Sequence, residues 1–260
     1  MVDYVDMSAP LDILAIAAHR DDVEQTCGGT LLKASQRGQI TGILDLTKGE
    51  MGTRGTAEDR EREANDAAKI LGVTWRRALD IPDGRVENTW ENRLKVASVI
   101  RETRPRVIIL PYWKGRHPDH YTASILGYEA CFLAGLKKLD PHRALGSQPS
   151  DISDQSSDLA PHRPFKIIYA TLYYDIRPTF VVDISDQFEG KFESILAYKS
   201  QFSDQEAGKD LFPAHDEIRA RVDSMARFYG ALGGVTHGEP FLQKEVGLVD
   251  DLLAIPVKSI

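Results

Sequence analysis

Cysteine is scarce in this chain, with only Cys27 and Cys131 among 260 residues. Two thiols exclude a disulfide scaffold or a thiolate zinc knuckle, and they fit a reducing cytoplasm. Long apolar runs are missing as well, since no stretch approaches the roughly 20 residues that cross a bilayer. The acidic start Met1-Val2-Asp3-Tyr4-Val5-Asp6 lacks the basic and apolar regions of a signal peptide. Positive charge is short: 32 Lys and Arg face 39 Asp and Glu, a net −7 that leaves no footprint for nucleic acid or an anionic membrane. No G-x-G-x-x-G closes a strand and no G-x-x-x-x-G-K-[ST] occurs, so nucleotide binding has no support. Gly28-Gly29 falls inside a helical segment, and there is no internal repeat or low-complexity tract. What remains, 42% hydrophobic and 27% charged residues, is ordinary for a soluble globular protein with a full core.

Apolar runs of strand length alternate with segments of helical period, the pattern of an α/β protein with a largely parallel sheet. Strands are expected at Ile13 to Ala18, Ile40 to Leu46, Trp75 to Leu79, Val107 to Leu110, Ile167 to Tyr173 and Phe180 to Val182. Helices are expected at Val23 to Ser35, Ala57 to Leu71, Trp90 to Arg101, Tyr121 to Lys138, Phe188 to Gln201 and Ile218 to Tyr229. Gly38 and Gly72 are placed to end the first two helices, and Thr56 with Asp59 reads as a capping box. The polar stretch from Asp140 to Pro164 reads as a surface loop inserted in a single domain spanning residues 1–260.

Two turns carry the chemistry. His19 and Asp22, three apart, follow the first apolar run, and His117 and His120 repeat that spacing after Val107-Ile108-Ile109-Leu110. Both turns project imidazole and carboxylate from one sheet edge and can share one ion. A catalytic zinc takes three protein ligands and keeps a position for water; His19, Asp22 and His120 supply two imidazoles and a carboxylate. Asp21 is then the candidate base. His117, as a protonated imidazole, would steady an oxyanion and protonate a leaving amine. Asp119 would hold a histidine ring in its tautomer. Glu24 reads as a first-turn residue favoured by the helix dipole, Asp45 as a loop residue near the site, and both cysteines as core. His142, His162, His215 and His237 read as surface or structural.

The turns Ala18-His19-Arg20-Asp21-Asp22-Val23-Glu24 and Arg116-His117-Pro118-Asp119-His120 resemble the two signatures of the PIG-L/LmbE zinc-dependent N-acetylglucosaminyl deacetylases. The passage from Ile43 to Thr56 with Arg60, Phe132-Leu133-Ala134-Gly135-Leu136, Phe180 to Ser185, and Ala197 to Phe202 resemble the bacillithiol-biosynthesis (BshB-type) branch. The resemblance implies an LmbE-like, Rossmann-like three-layer sandwich with a mostly parallel sheet, assembled as a homo-oligomer, trimer or hexamer. It implies hydrolysis of N-acetylglucosaminyl malate, with zinc (or Fe2+) held by His19, Asp22 and His120, Asp21 as base, His117 as acid and Asp119 as orienter. Arg60, Arg163 and Arg54 are implied as substrate contacts, since a guanidinium fork suits a carboxylate. The chain departs from the family at Arg20, where the family has proline and where the side chain should point away from the chemistry. The loop at 140–164 is also longer than usual.

Other readings use the same residues. Chitobiose, mycothiol precursors or further N-acetyl sugars are alternative substrates. Two histidines and a carboxylate also make the facial triad of non-haem iron oxygenases, although those sit on antiparallel barrels. A sugar-binding module without catalysis is the remaining reading, against which Asp21 speaks.

Overall fold

Three short, largely apolar runs buried on both faces, β1 (Ile13–Ala17), β2 (Thr41–Asp45) and β4 (Val107–Pro111), form the parallel centre of the sheet, and the partly buried β3 (Trp75–Ala78) lies at its edge. Such strands read as continuous rather than alternating hydrophobic runs because helices cover both sides. The computed structural model describes residues 9–141, 159–172, 175–202 and 215–255. Its further strands are β5 (Lys166–Ala170), β6 (Phe180–Asp183) and β7 (Gly238–Leu242). The strand order is β3-β2-β1-β4-β5-β7-β6, and β7 runs antiparallel to both neighbours. The sheet is therefore mostly parallel.

Helices fill the crossovers: α1 (Asp22–Gln36), α2 (Ala57–Ile70), α3 (Trp90–Thr103) and α4 (Pro118–Ala134). Three more follow, α5 (Phe188–Leu196), the short α6 (Lys199–Phe202) and α7 (His215–Gly233). The expected helix from Phe188 to Gln201 is thus two helices. Alternate residues of β1 enter different cores, which makes the three layers visible. Leu14 and Ile16 pack with Val96, Ile100 and Leu126 of α3 and α4, whereas Ala15 and Ala17 pack with Val23, Cys27 and Leu31 of α1. Thr56 and Asp59 form the capping box at α2, and Gly38 (φ 77) and Gly72 (φ 64) adopt the left-handed conformation after α1 and α2.

Two features depart from the sequence reading. Helix α1 breaks at Cys27 (φ −142, ψ 19), and the N–H groups freed beyond the break at Gly29 and Thr30 donate to the Glu239 carboxylate at 2.9 and 2.7 Å. Gly28-Gly29 thus belongs to an internal helix start that the chain fills with its own anion, itself paired with Lys191 at 2.5 Å. Glu24 and Asp45 are also more than a helix-dipole residue and a loop residue. Both are buried and share Arg76, Glu24 at 2.6 Å and Asp45 at 2.9 Å. The Tyr198 hydroxyl donates to Glu24 at 3.1 Å, so this network joins α1, β2, β3 and the α5–α6 junction. Of the expected loop at 140–164, residues 142–158 lie outside the described residues, as do His142 and the side chain of His215. His162 bonds the Pro105 carbonyl at 2.7 Å, and His237 bonds Asp223 at 2.9 Å and stacks on Phe188.

Candidate metal centre

The sheet order reverses direction between β1 and β4, which are hydrogen-bonded neighbours. Ligands of open α/β sheets bind outside the carboxyl ends of strands at such a switch point. The turn after β1 carries His19 to Asp22, the turn after β4 carries His117 to His120, and the turn after β3 adds Asp83.

Donor atoms of three side chains converge there. His19 Nδ1 lies 3.1 Å from His120 Nε2 and 3.4 Å from Asp22 Oδ2, and His120 Nε2 lies 3.2 Å from Asp22 Oδ1. A tetrahedron with metal–ligand bonds of about 2.0–2.2 Å has edges of about 3.3–3.6 Å. Each separation is within a few tenths of an ångström of such an edge, with the two histidines meeting different oxygens of Asp22. Asp22 is pinned in place, since it accepts from the His19 backbone N–H at 3.0 Å.

The other nitrogen of His19 is held by carboxylates. Its Nε2 lies 3.1 Å from Asp83 Oδ1 and 3.3 Å from Asp119 Oδ2. Asp119 in turn accepts the N–H groups of Gly84 and Val86 at 2.9 and 3.1 Å, so the ring Asp119 orients is that of His19. A carboxylate behind a ligating imidazole fixes its tautomer and raises its basicity. Asp83, which the sequence reading did not select, also accepts from Met51 N–H at 2.9 Å and thereby ties the loop after β2 to His19. Its only sequence signal is Pro82-Asp83-Gly84, which reads as a turn.

Electrostatics shows what the cluster lacks. Burial alone would lower the His19 pKa, but hydrogen bonds to Asp119, Asp22 and Asp83 override it and push the ring up to about 12. Against its own burial, Asp22 is held well below the usual carboxylate range by His120 and His19. Three carboxylates around one imidazole make a site suited to a cation.

Asp21 caps α1 in a left-handed conformation (φ 98, ψ −21) with no side-chain cap bond. A non-glycine residue there costs roughly 1–3 kcal/mol, and such strain gathers at functional sites. Released from capping, the carboxylate lies 3.4 Å from the Arg60 guanidinium. Burial raises its pKa to about 7 against the pull of Arg60.

His117 caps α4, its Nδ1 accepting the Asp119 N–H at 3.2 Å. That bond leaves the neutral ring's proton on Nε2. Burial, with His19 and His120 close by, lowers its pKa, which favours the neutral ring over the imidazolium expected from sequence. His117 stands edge-on to His19 with centroids 4.7 Å apart.

The arginines divide. Arg60 is buried, spans Asp21 and the Arg20 carbonyl, and lies so close to Gly49 that a Cβ there would sit 2.9 Å from its Nη1. Arg54 is buried too and exchanges hydrogen bonds with Gln201, donating to its carbonyl at 3.3 Å. Neither presents a free fork for a substrate carboxylate. Arg163 precedes β5, at the sheet edge opposite the metal turns, and stacks on Phe132 at 5.4 Å. The structure does not bring it to the cluster. Arg20 points away, donating to the Ala57 carbonyl at 2.7 Å.

The chain is similar to several known proteins. The family model PIG-L, GlcNAc-PI de-N-acetylase, matches residues 14–131, which include both turns. Diacetylchitobiose deacetylase of Thermococcus kodakarensis is 32% identical over 238 residues, covering 87% of this chain and 80% of that protein. The conserved protein TT1542 of Thermus thermophilus superposes with a TM-score of 0.76 at 37% identity, over 92% of this chain and 98% of that one. The N,N'-diacetylchitobiose deacetylase of Pyrococcus horikoshii superposes with a TM-score of 0.72 at 27% identity, over 88% and 82%.

Proposed function

This chain belongs to the PIG-L deacetylase family, and from that premise we propose that it is a metal-dependent hydrolase that removes the acetyl group from a neutral N-acetylglucosaminide such as diacetylchitobiose. The observation that carries the proposal is the convergence of His19 Nδ1, Asp22 and His120 Nε2 at 3.1–3.4 Å with Asp21 and His117 beside them. These three residues would hold the ion, zinc in the first instance and Fe2+ in the second. When bound, it would polarise the amide carbonyl and acidify a water.

The chain's own groups do the rest. Asp21, with its pKa raised to about 7, accepts the proton of the attacking water and passes it to the departing amine. Arg60 holds that carboxylate in place. His117 donates its Nε2–H to the developing oxyanion, which needs no protonation change during the reaction. Asp119 and Asp83 keep His19 oriented.

The substrate reading is supported by the relatives, two of which are named for diacetylchitobiose, and by the arginines, which are engaged with the chain itself. A second reading, the acidic N-acetylglucosaminyl malate, is favoured by Lys114. It is exposed, lines the cavity beside His120, and has no acidic partner among the described residues. An exposed stripe on α4, Tyr121, Ile125, Tyr128 and Phe132, supports assembly as a homo-oligomer. Two free buried cysteines fit a cytoplasmic setting, and among the described residues no helix is long and apolar enough to cross a membrane.

The test supplies zinc-loaded, iron-loaded and chelated protein with diacetylchitobiose, N-acetylglucosaminyl malate and free N-acetylglucosamine, and follows primary amine. Zinc-dependent release, fastest from the disaccharide, is expected. A malate rate well above the disaccharide rate would favour the second reading, and no amine from any of the three would overturn both.

A further inference from the structure

On the face of the sheet covered by α1, the strands that meet the metal turns carry small residues. Ala15 and Ala17 of β1 and Ala170 of β5 flank Ile109 of β4 beneath Val23 and Cys27. A cavity of about 20 Å³ remains there, walled by Ala17, Cys27, Ile109, Ala170 and Leu172, and it reaches Asp22 and His120. Close-packed interiors leave few voids larger than a water. This one persists because α1 leaves helical geometry at Cys27, and the part beyond the break is anchored elsewhere by Glu239 on Gly29 and Thr30. The helix cannot settle onto the alanines.

The volume is little more than the roughly 10–15 Å³ that one water occupies, and a buried water needs two to four polar partners. The lining from β1, β5 and the break in α1 is apolar, its polar members Asp22, His120, Tyr112 and Lys114 come from the metal turns, and the Thr26 hydroxyl is engaged with the Asp22 carbonyl at 2.8 Å. An apolar group of about methyl size fits this space better than water. We propose that this cavity is the acyl pocket: it receives the methyl of the scissile acetyl group and, through Ala170, Cys27 and Leu172, restricts the enzyme to two-carbon acyl groups. This rests on the deacetylase reading above, whose carbonyl would lie at the ligands that border the cavity.

The test has two independent arms. Zinc-loaded protein is given glucosamine disaccharides carrying N-acetyl, N-propionyl or N-butyryl groups, and kcat/KM is measured for each. Each added methylene should cost about 10- to 200-fold, the usual range for one methylene in an apolar pocket. Leu172→Ala should shrink that gap, and Ala170→Val should widen it and weaken the acetyl substrate too. Opposite movements of the two variants cannot come from a folding defect. In the second arm, acetate, propionate and butyrate are titrated into the zinc-loaded protein and Tm is followed. Acetate should protect and butyrate should not, with butyrate protecting Leu172→Ala. Equal kcat/KM for N-acetyl and N-propionyl substrates in the wild type would overturn the pocket while leaving the deacetylase reading intact. If no acylated sugar is hydrolysed, the deacetylase reading fails and the carboxylates decide: selective protection by acetate supports the pocket, and equal protection by all three removes it.

Discussion

Two buried clusters of charged groups border the first turn of α1, and they are built on opposite rules. In one, Arg76 lies between Glu24 and Asp45, with a two-pronged contact to Asp45 at 2.9 and 3.0 Å and a further bond to the Ala64 carbonyl at 3.1 Å. A permanent positive charge meets both carboxylates, and one Glu24 oxygen, Oε2, is left without a hydrogen-bond partner. In the other, Asp22, Asp83 and Asp119 surround His19, a group that becomes cationic only by taking up a proton. The first cluster carries a fixed cation and ties elements together, whereas the second counters its carboxylates with titratable rings and faces the carboxyl edge of the sheet. Burial of charge alone therefore does not mark a functional site; an acidic cluster countered by titratable rings, here His19 and His120, does.

The comparison breaks most sharply on metal removal. Chelation should abolish amide hydrolysis, and added zinc should restore it to the wild type but not to His120→Ala, which lacks a donor. Persistent hydrolysis in chelator, with metal content verified as nil, would end the assignment of the cluster as a metal centre. Next in size is Asp21→Asn. An amide cannot accept the proton of water, so kcat should fall by about 10²–10⁴-fold, the scale of general base catalysis. Bound zinc per chain should not change, because Asp21 is not among the converging donors. A wild-type rate in this variant would leave the base to be found elsewhere.

The Arg76 cluster should respond in the other observable. Arg76→Met strands two buried carboxylates, and breaking a buried pair on one side costs about 3–5 kcal/mol. At about 2–4 °C per kcal/mol for a chain of this size, Tm should drop by about 6–20 °C. Zinc content and the kcat of the folded fraction should hold. A variant that melts with the wild type but loses zinc would reverse the roles assigned to the two clusters.

The two turns were legible in the sequence because strand ends announce themselves: a continuous apolar run followed by His-x-x-Asp or His-x-x-His has few other uses. The parallel strands and the glycine stops were legible for the same local reasons. Strand β7 was not, because Gly238-Glu239-Pro240-Phe241-Leu242 carries three residues that strands disfavour. Its context supplies the explanation. Only Phe241 and Leu242 pair with β5, so Pro240 needs no hydrogen on that side, and Glu239 is neutralised by Lys191 and two helix N–H groups. Asp83 and Arg76 were missed since their partners lie 64 and 52 or 31 residues away, and nothing local distinguishes them from a turn aspartate and a surface arginine. Arg163 shows the converse. A residue that matches a pattern in sequence sits at the wrong end of β5 to meet the cluster.

Arg20 gives the smallest effect and the finest test, because it lies in the metal turn while its side chain belongs to neither cluster. From sequence, a proline in its place should stiffen the turn and raise stability slightly. The structure reverses that sign. The Arg20 guanidinium is buried and donates to the Ala57 carbonyl at 2.7 Å, with Glu61 3.8 Å away, so it fastens the metal turn to the start of α2. Losing a hydrogen bond from a charged donor costs about 1.5–3 kcal/mol, against the roughly 0.4–1 kcal/mol that a compatible proline returns through the unfolded chain. Arg20→Pro should therefore lower stability by about 1–2 kcal/mol, or about 2–8 °C in Tm. Activity should change less, since the carbonyl of residue 20 that accepts from Arg60 survives the substitution and Arg60 still holds Asp21. We expect kcat/KM within about tenfold of wild type, equivalent to 1.4 kcal/mol of transition-state binding. A rise in Tm would mean the tie to Ala57 contributes nothing. A hundredfold loss of kcat/KM at unchanged zinc content would place Arg20 in the catalytic turn as more than its fastening.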